Sequence, residues 1–250
     1  MKLYMLECGR LIVPDENCLG RGNTASYKLV LPVPAYLLVH PTEGLVLFDT
    51  GIEYSHWPDE AKLGLSTSPL LRVEAHLGRL GYTKDAVRHV VMSHLHADHT
   101  GQMTQFPDAL FHMRKSEWES AIPPSGRDYC PADYMPTKDY HFEYVPEDVD
   151  YDLFGDQTVI CVDTKGHTSG HQSFIIDLPV TGKLLLAMDA AHLPDYLTST
   201  EYFDGCWNRE FCIKAIERLE ALKAQGMQLI FGHDPEQWAT LKKAPDFYED

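Results

Sequence analysis

The chain has 250 residues, with 21 basic against 37 acidic side chains, a net charge of −16, and hydrophobic and charged shares of 44% and 23%. That balance excludes a disordered or collagen-like chain, and the acidic excess argues against the basic face of a nucleic-acid binder. At about 100 to 200 residues per domain, the length allows one large domain or two small ones.

Taken in chain order, Met1–Arg10 is interrupted by Glu7 too early for a signal-peptide core, and no small-residue cleavage site follows. No apolar run approaches the roughly 18 residues that span a bilayer. Cys8, Cys18, Cys130, Cys161, Cys206 and Cys212 are scattered, with no Cys-x-x-Cys pair. They read as reduced thiols of a cytoplasmic protein with no membrane and no nucleic-acid partner. Turn residues concentrate in Pro14–Ala25 and in the proline-rich Ile122–Pro136, both read as surface loops and candidate walls of a substrate pocket. The stretch Gly20-Arg21-Gly22-Asn23-Thr24-Ala25 has dinucleotide-like glycines but lacks the strand before and the helix after that such a site needs. The loop tyrosines and Trp57 are read as core before pocket lining.

Short apolar runs predict strands at Leu29–Val33, Ala35–His40, Leu45–Phe48, His89–Met92, Thr158–Val162, Ser173–Ile176, Leu184–Ala187 and Gln228–Phe231. Helices are expected at Leu70–Leu80, between Pro69 and Gly81, and from a capping box at Ser116–Glu119. A third runs from an Asn208 cap to Gly226, with Phe211, Ala215, Leu219 and Leu222 on one face. Many strands with few helices point to helices packed outside a pair of sheets.

One segment outweighs the rest: Ser93-His94-Leu95-His96-Ala97-Asp98-His99, at a strand-to-turn junction. Imidazole and carboxylate suit divalent zinc, and His94 and His96 point the same way on extended backbone. Asp98 and His99, where the chain turns, can face a second centre. Closely packed histidines repel when protonated and gain little unless a metal organises them. His167, Asp189 and His233 each follow an apolar strand beside glycine or alanine, so they gather at one sheet edge, where ligand sites form. His171, four residues after His167, is placed to support that loop through a hydrogen bond.

The His-Leu-His-Ala-Asp-His cluster, followed by His167, Asp189 and His233 and preceded by Asp49 after Leu45–Phe48, resembles the metallo-β-lactamase superfamily. Within it the chain is most similar to the N-acyl-homoserine lactonases. Pro32–Leu38, Gly166–Ser173 and Phe231–Asp234 carry that similarity. The resemblance implies one domain over residues 1–250, an α/β αββα sandwich with a dinuclear metal site at one edge of the sheets. It also implies that His94, His96 and His167 hold one zinc, Asp98, His99 and His233 the other, and Asp189 bridges them; iron, cobalt or manganese are alternative cations. Asp49 would organise the loops without binding metal. The implied reaction is hydrolytic opening of a small-molecule lactone, with Asp98 moving the proton, in a protein that many relatives would lead one to expect as a homodimer. The alternatives are a hydrolase of another lactone, ester or thioester, as in the glyoxalase II branch, and a metal sensor without turnover. Two departures bear on substrate preference. His192 stands where the lactonases commonly carry a tyrosine that touches the substrate carbonyl, and is the second catalytic candidate; Ala97 stands where a bulky aromatic is frequent.

Overall fold

The computed structural model describes residues 1–14, 28–56, 65–66, 68–126, 128–198 and 206–249. Cys18, Trp57 and the Gly20–Ala25 stretch lie outside them.

Leu3 and Met5 pack in one layer and Tyr4, Leu6 and Cys8 in the other, in a segment considered above only as a leader, and Lys2–Pro14 is in fact the long strand β1. It pairs antiparallel with β2, Lys28–His40, which joins two runs expected to be separate strands. Pro32 and Pro34 are tolerated there because the pairing slips between Glu7 and Arg10, and a bulge asks for no amide donor at those positions. Then follow β3, Gly44–Phe48, the short β4, Leu65–Ser66, β5, Val87–Val91, β6, Leu110–Arg114, and β7, His141–Val145. The second sheet holds β8, Tyr151–Asp152, β9, Val159–Asp163, β10, Gln172–Leu178, β11, Gly182–Leu186, and β12, Gln228–Ile230; β13, Tyr248–Glu249, returns to β1. The first sheet runs β13-β1-β2-β3-β5-β6-β7 with β4 on β1, and the second β12-β11-β10-β9-β8.

Period-2 alternation divides the core into layers. Leu3, Met5, Tyr36, Leu38, Val46 and Phe48 face Phe174, Ile176, Leu184 and Leu186 between the sheets. Their neighbours Tyr4, Leu6, Leu37, Leu45 and Leu47 face outward, against Val73 and Leu77 of α1, Val73–Arg79. On the far side Ile175 and Leu185 pack on a longer helix described below. The order is helix, sheet, sheet, helix, the expected αββα sandwich.

Helix starts depart from expectation. Pro69–Leu71 is a 3₁₀ turn capped by Ser68, Arg72 is extended, and Leu70 is 66% exposed rather than part of the apolar stripe. After α2, Ala97–Thr100, comes α3, Lys115–Ala121, which begins before Ser116 instead of being capped by it. Ser116 gives both its amide and its hydroxyl to Glu147, so a distant carboxylate replaces the local box. The Ile122–Pro136 loop contains a helical turn, α4, Pro131–Tyr134. Tyr129 and Tyr134 are buried core residues, as read from the sequence. The last two helices are α5, Arg209–Ala224, and α6, Pro235–Thr240. Asn208 caps α5 as predicted, accepting from the amides of Glu210 and Phe211 at 2.9 and 3.3 Å. No helix among the described residues is long and apolar enough to cross a membrane.

Leu219 lies fully buried where α5 meets the second sheet. Leu219→Ala is expected to cost about 2–5 kcal/mol in urea unfolding, the range for a cavity left by a buried leucine. Glu220→Ala, exposed on the same helix, is expected to stay within about 0.5 kcal/mol.

Candidate metal centre

The site is built at strand ends. Parallel pairing of β3 with β5 brings Asp49 beside the segment that carries His94, His96, Asp98 and His99. In the second sheet β9, β11 and β12 point the same way, so the loops bearing His167, Asp189 and His233 emerge at one edge. Gln172 joins the sheets there, its amide donating to Ser93 O and its side-chain nitrogen to Met92 O.

All seven donors named from the sequence come together in two groups that share one carboxylate. In the first are His94, His96, His167 and Asp189; in the second Asp98, His99, His233 and Asp189. Around Asp189 Oδ2, His167 Nε2 lies at 3.3 Å and His94 Nε2 at 3.6 Å, while His167 Nε2 and His96 Nδ1 are 3.0 Å apart. Around Asp189 Oδ1, His99 Nε2 lies at 3.2 Å and His233 Nε2 at 3.1 Å. Asp98 Oδ2 stands 3.5 Å from His99 Nε2 and 3.7 Å from His233 Nε2. Four ligands held tetrahedrally at about 2.0–2.1 Å from one cation sit about 3.3 Å from each other. Both groups have that spacing, and the nitrogen and oxygen donors suit a divalent cation of the zinc class.

The electrostatics fit the same occupants. The Nε2 atoms of His94 and His99 are buried with no hydrogen-bond partner, a costly state for the polypeptide alone. Burial, then the charge of neighbouring histidines, holds His94 and His96 well below the usual imidazole range. Burial also opposes charge on His99, but the carboxylates of Asp189, Asp98 and Asp49 outweigh it and raise that ring. Burial likewise opposes charge on His167, where hydrogen bonds donated to the Asp189 carboxylate and the Cys206 sulfur win and raise it to about 10.

A surrounding layer aims the donors. Asp49 accepts the Ser93 amide at 2.7 Å, the Ser93 hydroxyl at 2.6 Å and His99 Nδ1–H at 2.6 Å, which turns His99 Nε2 inward. His233 Nδ1–H donates to Pro32 O at 2.8 Å with the same result. His171 takes the supporting part considered for it: Nδ1–H donates to Thr164 O and Nε2 accepts the Asp189 amide, both at 3.1 Å. Asp49 and Met188, each next to this machinery, have φ of +55° and +50°, sparsely populated for residues with a Cβ. Gly232 is required beside them, since a Cβ there would lie 2.3 Å from Met188 O.

The sequence reading missed Glu117. Fully buried on α3, its carboxylate accepts the Leu95 amide at 2.9 Å, the Gly170 amide at 3.1 Å and the Tyr129 hydroxyl at 3.1 Å. It thereby ties the His94–His99 loop to the His167–His171 loop. Gly170 permits this closeness, because a Cβ would meet Glu117 N at 2.4 Å. A Glu inside a polar helical turn carries no motif to reveal such a role. Cys206 was read above only as a reduced thiol. Hydrogen bonds with Cys212 and His167 overcome its burial and bring its thiol down to about 5.

His192, the other catalytic candidate, sits over both groups, its ring 5.4 Å from that of His167 and 5.2 Å from that of His233. Its Nε2 lies 3.1 Å from Asp189 Oδ2. The side chains of Asp98, His167 and His192 keep 13%, 15% and 20% exposure, which marks the open face of the site. A third group, His56, Cys130 and Asp133, has a different character. His56 Nδ1 and Asp133 Oδ1 are 2.5 Å apart, too close for two ligands of one cation and right for a hydrogen bond. Thr100 gives Asp133 a second donor, so this group braces α2 from behind.

Asp49→Ala is expected to weaken zinc binding by about 10–100-fold in competition with a chromophoric chelator, since the donors lose their orientation. Glu117→Ala, which leaves two buried amides unpaired, is expected to cost about 1–3 kcal/mol of stability for each. The exposed Glu119→Ala should change neither quantity.

A family model described as the metallo-beta-lactamase superfamily matches residues 29–227. The N-acyl homoserine lactonase AttM of Azorhizobium caulinodans is 33% identical over 100% of this chain and 99% of its own length. AttM of Rhizobium johnstonii is 34% identical over 99% and 98%, and the N-acyl homoserine lactonase of Bacillus thuringiensis 29% over 98% of each. A solved N-acyl homoserine lactone hydrolase, with the product N-hexanoyl-L-homoserine at its catalytic metal centre, superposes with a TM-score of 0.86 at 27% identity, covering 99% of this chain and 98% of that one. Family model, full-length relatives and fold agree, and the chain belongs to the metallo-β-lactamase superfamily.

Proposed function

We propose that this protein is a dizinc hydrolase that opens the lactone ring of N-acyl-homoserine lactones, acting in the cytoplasm. The observation that carries the reading is the pair of four-donor groups sharing Asp189, each at the ligand spacing of one cation. Relatives named as N-acyl homoserine lactonases over the full length support the choice of substrate class. The free thiols of the described cysteines support a reducing compartment.

Two bound divalent cations supply water acidified toward neutral pH and a Lewis acid for the carbonyl. The chain's own groups do the rest. Asp98, at the open face, is placed to take a proton from the attacking water and hand it to the departing ring oxygen. His192 presents an N–H where negative charge develops on the carbonyl oxygen. Asp49, Glu117 and His171 keep the loops from shifting as charge moves. Water adds across the ring C–O bond, and the product is an open hydroxy acid.

Loaded enzyme is expected to consume base in a pH-stat with acyl-homoserine lactones, to lose at least about 100-fold on chelation, and to recover with zinc. Asp98→Asn is expected to lose about 10²–10⁴-fold in activity per bound zinc, the usual value of a positioned proton carrier. Intact lactones beside rapid thioester cleavage would give the glyoxalase II-like reading instead, and full activity without metal would overturn both.

A further inference from the structure

His192 is held from two sides. Its Nε2 faces Asp189 Oδ2 at 3.1 Å, and its Nδ1 faces the Tyr196 hydroxyl at 2.8 Å. Tyr196 lies on the 3₁₀ turn Pro194–Leu197, is 6% exposed, and packs its ring 4.9 Å from the imidazole. A neutral imidazole has one N–H and one lone pair, and an ionised carboxylate only accepts. A lone pair at Nε2 would face those of Asp189, so Nε2 carries the hydrogen and Nδ1 must accept. The phenol is the donor that Nδ1 requires.

We infer that Tyr196 is a positioning residue for the hydrolytic site, fixing His192 as the Nε2–H tautomer so that its one N–H points at the shared carboxylate and the reacting carbonyl. The inference rests on the lactonase reading for its chemistry, though the tautomer itself does not. The phenol that the family pattern places at position 192 is replaced here by a pair, in which the imidazole touches the substrate and the phenol sets its hydrogen. A His192 ring without this partner could flip or exchange tautomers, and would then present a lone pair to a developing oxyanion. Fixing it removes an unproductive population before substrate arrives. Tyr196 gains from the arrangement too, because its buried hydroxyl acquires an acceptor.

The test has one arm without metal or substrate. In ¹⁵N-labelled metal-free protein, long-range ¹H–¹⁵N spectra should show the His192 ring, assigned by its loss in His192→Phe, with a protonated Nε2 and an accepting Nδ1. Tyr196→Phe, which keeps the ring and its packing, should shift the Nδ1 resonance and mix the tautomers. In zinc-loaded enzyme, Tyr196→Phe should lower kcat for lactone opening about 5- to 10-fold, the worth of one hydrogen bond, with KM and bound zinc unchanged. In His192→Phe, the further change Tyr196→Phe should add nothing, because the phenol acts only through the imidazole. An Nδ1–H ring in the wild type, an unchanged kcat in Tyr196→Phe, or additive losses in the double variant would each overturn the inference. If the wild type opens no lactone while the tautomer is as stated, the lactonase reading fails and the positioning geometry stands.

Discussion

Everything at the strand ends is arranged around one carboxylate. Asp189 is 5% exposed and gives one oxygen to each group of imidazoles. Burial alone would favour its neutral form, but the histidines around it, His99 and His233 foremost, hold the carboxyl well below the usual range. The same carboxylate raises His99 and His233 while His94 and His96 are driven the other way. No single distribution of protons satisfies so many packed rings, since charging one penalises its neighbours. Divalent cations resolve the conflict by taking every lone pair at once. Binding energy of that kind becomes folding energy, because the donors have no such arrangement in the unfolded chain.

The polypeptide invests in this edge before any cation arrives. Left-handed backbone at Asp49 and at Met188 costs on the order of 1–3 kcal/mol each. Buried carboxylates at Asp49 and Glu117 must be compensated by donors, and each is: a serine, its amide and an imidazole in one case, two loop amides and a phenol in the other. These anchors come from α3 and from the strand ends of both sheets, so the donors cannot drift independently.

The clustering of the seven donors was legible in the sequence because four of them fall within six positions and the other three follow apolar strands. Their supports were legible only where a motif pointed at them, as with Asp49 and His171. Glu117 was invisible, because its partners Leu95 and Gly170 are joined to it through backbone amides that any residue could offer. Strands β9 to β12 of the second sheet were found from continuous apolar runs, since both faces are covered, whereas the two-residue β8 was not. β6 and β7 were missed, because His112, Arg114 and Glu143 interrupt those runs. Arg114 is nonetheless 1% exposed, its two terminal nitrogens donating to Pro146 O and Val149 O. The early β1 was hidden by Glu7 and Arg10 at its bulge, and the break expected at Pro32 and Pro34 disappeared into the same bulge. Local rules failed where a distant partner outbid them, as Glu147 did for Ser116.

The charge of the whole molecule bears on the chemistry proposed for its edge. A surface carrying −16 repels polyanions at long range but leaves a neutral ring free to approach. Lactone opening turns that neutral ring into a carboxylate. The field that leaves the substrate free to approach therefore disfavours the product, which carries charge of the same sign. A phosphodiester or nucleic-acid substrate would meet the same field before reaching the site. The acidic surface and the imidazole-rich edge are thus complementary: the edge would hold cations able to polarise a neutral carbonyl, and the surface favours departure of an anionic product.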